Sequence, residues 1–142
     1  MAVSDRYITS SLWDSVRDLL VAAAPYVTIS AVSTDTVTAT ITGSYNDKTM
    51  SRPTIVINPI PMDEGEWKFG SNEGRKFLNV TIDCYDKRTS GIDELYDQVQ
   101  YALKNTEISG VQLIAVSSDV GFYSVNDNKY HVKTGTFTYD RG

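Results

Sequence analysis

Apolar residues recur at helical spacing in two stretches of the chain and alternate with polar ones elsewhere. In the first stretch Leu12, Trp13, Val16, Leu19, Leu20 and Ala23 fall on one stripe. Ser11 and Asp14 are placed to cap its start, and Pro25 ends it, because the residue before a proline avoids the α region. The second stretch has Ile92, Leu95, Val99, Ala102 and Leu103 on one face, with Ser90 and Asp93 as its capping pair and Asn105 or Gly110 as its end.

Between and after these helices the pattern is that of strands. Residues 26–33 and 35–42 are rich in Val, Thr and Ile, and Gly43-Ser44-Tyr45-Asn46-Asp47 reads as a turn or loop. Thr54-Ile55-Val56-Ile57-Asn58 carries consecutive apolar residues, as a strand covered on both faces does. Residues 78–84 alternate strictly, with Leu78, Val80, Ile82 and Cys84 on one side and Asn79, Thr81 and Asp83 on the other. Residues 111–117, 121–125 and 130–139 complete the strands, with Asn126-Asp127-Asn128 as a turn between the last two. The order predicts one α+β domain over residues 1–142. Its mixed, mostly antiparallel sheet carries two main helices packed on one face.

Residues 59–76 have no clear period and contain Pro59, Pro61, Gly65, Gly70 and Gly74. A loop of this length inside a small domain is usually functional; an extended β-hairpin tipped near Gly70 is the other reading. Trp67 and Phe69 sit within it, either as interface anchors held outward or folded back as a lid on the core. Ordering such a segment costs roughly 1–2 kcal/mol per residue, so the loop is expected to be mobile in the free chain and ordered by a neighbouring subunit or ring.

At 142 residues the chain is long enough to bury a real core, and 41% apolar with 22% charged residues is the balance of a soluble globular protein. Thirteen Lys and Arg against 18 Asp and Glu leave a formal charge of −5, which argues against a surface built to hold phosphate backbones. The first residues lack the apolar core of a signal peptide, and no apolar run is long enough for a bilayer, so a cytoplasmic protein with no membrane partner is expected.

Few residues of the chain offer chemistry. Cys84 and His131 are the only thiol and the only imidazole, so a Cys–His nucleophile is conceivable. Cys84, however, continues the apolar side of its strand and is read as core, and His131 as a sheet histidine. One His and one Cys cannot assemble a zinc site of ordinary N/S type within one chain. Asp63, Glu64 and Glu66 have neither the spacing of a calcium loop nor an apolar pocket to make an acid–base pair, and are read as solvated. The glycines fit no phosphate-cradling loop, and no cofactor is predicted.

The layout resembles the tail-terminator and tail-completion (head-to-tail joining) proteins of long-tailed viruses of bacteria and archaea. The likeness rests on the opening helix and on Arg52-Pro53-Thr54-Ile55-Val56-Ile57-Asn58-Pro59-Ile60 before a variable loop. It continues with the strand over 76–85, with Ser90-Gly91-Ile92-Asp93-Glu94-Leu95 opening the second helix, and with a final strand pair. It covers nearly the whole chain as a match of pattern and size, without an invariant signature. The resemblance implies a non-enzymatic virion protein, assembled in the host cytoplasm. It would form a homohexameric ring that ends the tail tube and contacts the tail-tube protein and the head-neck connector. Genome DNA would pass through without specific binding; a six-fold ring of this chain would carry about −30, expected to leave an acidic or neutral inner wall. The alternatives are a head-completion adaptor, a tail-tube subunit or, from a different class, a small hydrolase. The expected interface residues are Asp63, Glu64, Glu66, Trp67, Phe69 and Arg75 of the loop. Thr134, Thr136 and Thr138, which line one face of the last strand, complete the set as strand edges for pairing between chains.

Overall fold

The computed structural model describes residues 7–29, 36–43, 53–64, 76–125 and 128–141. Its elements are α1 (Ile8–Ala23), β1 (Tyr26–Thr28), β2 (Thr36–Thr38), β3 (Thr40–Thr42), β4 (Thr54–Ile57), β5 (Met62–Glu64), β6 (Lys76–Asp86), α2 (Thr89–Asn105), β7 (Gln112–Val125) and β8 (Asn128–Asp140). The main sheet has the order β3-β4-β6-β8-β7, with β5 also pairing β6; β1 and β2 form a small antiparallel sheet. Among the described strands only β3 and β4 pair in parallel, so the fold is α+β with a mixed, mostly antiparallel sheet.

The strict alternation of β6 is what builds the core. Leu78, Val80, Ile82 and Cys84 are fully buried, whereas Asn79, Thr81, Asp83 and Tyr85 on the other face are half-buried. Val80 lies opposite Phe137 and Leu78 opposite Tyr139, which puts those two aromatics on the same covered face. Onto that face α2 brings Leu95, Val99 and Leu103 and α1 brings Ile8, Leu12, Val16 and Leu20, all in one apolar cluster. Each such side chain stabilises the fold by about 1.5–3 kcal/mol on burial. All four residues of β4 are buried, as its consecutive apolar residues predict. α1 is further tied to the sheet by the Trp13 indole N–H, which donates to the Ile57 carbonyl at 3.1 Å.

Neither capping pair acts as expected. α1 begins a turn earlier, at Ile8, because that residue belongs to the buried stripe; Ser11 lies inside the helix and its backbone N–H bonds to the Tyr7 carbonyl at 2.8 Å. α2 begins at Thr89 without a side-chain cap. Asp93 reaches instead to Lys133 of β8 at 3.0 Å, and the buried Asp86 carboxylate packs against Gly91 in the first turn, where no side chain would fit. An anion there suits the positive end of the helix.

Two further expectations change. Residues 62–64 form a strand on β6 and not part of a loop. Its register, Met62 opposite Leu78 and Glu64 opposite Lys76, is symmetric about residue 70, which agrees with the hairpin reading. Residues 111–117 and 121–125 join into the single strand β7, with one irregularity between Leu113 and Ala115.

Candidate assembly surface

β7 and β8 pair from Gln112–Asp140 to Val125–Asn128, but β6 accompanies β8 only as far as Asp86–His131. The end of the hairpin therefore runs on as a two-stranded ribbon for three further pairs. β7 is the end strand of the sheet, and among the described residues no strand pairs with its outer side. Its exposed residues include Val120 and Phe122, at 58% and 62%, together with Ile114. Phe122 is held in place by the His131 ring, with centroids 5.0 Å apart, and by Lys129, whose Nζ sits 4.0 Å from its ring centre. An ordered apolar side chain beside a free strand edge is a surface suited to another chain.

One donor on that edge is covered. The Asp119 carboxylate accepts from the backbone N–H of Val120 at 2.9 Å, which blunts the edge at mid-strand as natural sheets often do.

The threonine row lies on one face of the last strand, as the sequence predicts, but not at an edge of the sheet. β8 is flanked by β6 and β7, so Thr134, Thr136 and Thr138 line the face of the sheet opposite Phe137 and Tyr139 and are not an edge open to pairing. Two of them are engaged within the chain: the Thr134 hydroxyl donates to Asp83 at 2.5 Å and the Thr138 hydroxyl to Asn79 at 2.8 Å. Asn58, the residue after β4, donates to the other oxygen of Asp83 at 2.9 Å, so a polar row runs from the end of β4 across β6 to β8. This fixes the side chains of the open face and leaves it polar and half-exposed.

Of the loop residues expected at an interface, Asp63 and Glu64 have their backbone in β5, while Glu66, Trp67, Phe69 and Arg75 lie outside the described residues. Cys84 is buried in the core cluster, and desolvation, followed by the neighbouring Asp83 charge, pushes its thiol well above the usual range despite Lys133. A thiol so placed stays protonated and closed to substrate. Among the described residues no group of three or more His, Cys, Asp and Glu side chains converges on a common point.

Sequence reading missed the length of β7 and its position as the edge strand. Ser117, Ser118 and Asp119 interrupt the apolar pattern, and only an edge exposed on both faces tolerates them within a strand. The small polar residues flanked by Val116 and Val120 were the available signal. The sequence matches no protein-family model and none of the curated proteins with which it was compared.

Proposed function

We propose that this chain is a structural subunit that assembles with copies of itself into a ring, a homohexamer, at the head-proximal end of a viral tail tube. There it stops tube growth and joins tail to head. The observation that carries the self-assembly reading is the 14-residue edge strand β7, with its own Val120 and Phe122 exposed. The viral setting and the partners, a tail-tube protein and a head-neck connector, rest on the layout that resembles tail terminators. The α+β fold with two helices on one face of the sheet is compatible with that layout. No helix among the described residues is long and apolar enough to cross a membrane.

The test is assembly of tails with a chain whose edge has been charged. Val120→Lys with Phe122→Lys should leave a folded protein whose ring assembly is weakened about tenfold or more, the scale of losing interface anchors. The pair Trp67→Ala and Phe69→Ala examines the loop separately. Normal tail ends from the charged-edge variant would contradict the reading.

A further inference from the structure

Residues of α1 and α2, with Thr106, Glu107 and Ile108 after α2, line a groove of about 840 Å³. Its lining includes the apolar residues Leu19, Ala22, Ala23, Ala102 and Ile108, with the ring of Tyr101 beside them, 71% exposed. Three carboxylates, Asp18, Asp97 and Glu107, stand around it, and among the described residues no Lys or Arg lines it. Asp18 is partly neutralised by Arg17 at 3.1 Å; Asp97 and Glu107 form no ion pair among the described residues. The α1 wall runs from Ser15 to Ala23, about 12 Å or some two helical turns at the usual rise.

We propose that this groove docks an amphipathic helical segment of another protein, one with small or aliphatic residues a turn apart flanked by Lys or Arg. The length and the apolar lining suit one face of a helix laid along α1 and α2. The unpaired carboxylates select the charge of the partner, because complementary potentials favour a basic segment and repel an acidic one. A second copy meeting groove to groove would set Asp97 and Glu107 against their equivalents, an arrangement of like charges that costs affinity. Nucleic acid and anionic lipid carry the wrong sign. This docking face is separate from the β7 edge and does not rest on the proposed ring.

The probe is a synthetic helical peptide with Leu at every fourth position and Lys flanking, compared with the same peptide carrying Glu for Lys. Binding is read by fluorescence anisotropy on the full chain. The Lys peptide should bind saturably and the Glu peptide should not. Ala22→Trp, which puts a large ring into the groove from its exposed lining, should abolish binding. Asp97→Lys with Glu107→Lys should weaken the Lys peptide about tenfold or more and allow the Glu peptide to bind, a reversal that a misfolded variant cannot produce. No saturable binding of the Lys peptide, equal binding of both peptides, or indifference to Ala22→Trp would overturn the proposal. Self-association of the chain that Ala22→Trp abolishes would also overturn it, in favour of a second copy as occupant.

Discussion

Gln98 of α2 holds the main chain of Tyr26 in β1 from both sides of one residue. Its side-chain oxygen accepts from the Tyr26 N–H at 3.1 Å, and its side-chain nitrogen donates to the Tyr26 carbonyl at 2.8 Å. One turn earlier, Glu94 accepts from the Thr28 N–H at 3.1 Å and from the Thr28 hydroxyl at 2.7 Å. The helix thus stands in for a neighbouring strand along β1 and closes that edge of the small sheet to other chains. Gln98→Leu, which keeps the bulk and removes both bonds, is expected to lower stability by about 1–3 kcal/mol, the net worth of two such bonds. Urea unfolding against the unchanged chain checks it; an unchanged midpoint would mean that water replaces Gln98 without loss.

The packing of α2 on the sheet depends on the absence of a side chain at residue 135. A Cβ there would lie 2.5 Å from Cε2 of Tyr96 and 2.9 Å from Cε2 of Phe137, both in the buried layer between helix and sheet. Gly135→Ala is expected to cost about 1–3 kcal/mol by overpacking. Adding Tyr96→Leu, which withdraws the ring that meets the new methyl, should recover part of that loss in the same unfolding measurement. Equal effects of Ala at 135 with and without Tyr96 would place the strain elsewhere.

Tyr139 makes stability sensitive to alkali. Burial raises its hydroxyl from 10.0 to about 12, and that hydroxyl has no hydrogen-bond partner among the described residues. Between these values the folded chain keeps a proton that the unfolded chain has released, so stability falls as pH rises through the window. The loss attributable to this group is at most about 2–3 kcal/mol. Tyr139→Phe should remove that component. At neutral pH it should leave stability unchanged or raise it by up to about 1 kcal/mol, since an unpaired buried hydroxyl is removed. Unfolding curves at pH 8 and pH 11 for both proteins, chosen on either side of the unperturbed value, measure the difference.

Asp119 guards the β7 edge by occupying the Val120 N–H. Asp119→Ala frees that donor and removes a charge from the edge, so the free chain should self-associate more readily. Sedimentation velocity over a range of concentrations detects the change. A chain that stays as monomeric as before would mean that the single covered donor does not limit pairing.

Much of the fold was legible because the patterns that predict it are the patterns that bury it. The alternation of residues 78–84 marked the covered face of β6, and the unbroken apolar run of β4 marked its complete burial. The helix starts were not legible, because Ser11 and Ser90 look like caps while the actual starts are set by Ile8 entering the core and by Asp86 sitting beside Gly91. The assembly surface was only half visible. Thr134, Thr136 and Thr138 stand out by composition, but which strand lies at the edge depends on long-range pairing that no local pattern carries. The Gln98 and Glu94 contacts to β1 join residues 72 and 66 positions apart, and a helix-surface Gln gives no sign of them.

The claim that this chain closes into a ring through its β7 edge is tested most directly by a density map of the assembled tail end, with chain copies counted and their contacts traced. Six copies are expected, with the backbone of β7 in each protomer hydrogen-bonded to its neighbour and Phe122 covered at that contact. A map in which the chain sits as single copies, or in a ring whose contacts leave β7 facing solvent, would contradict it.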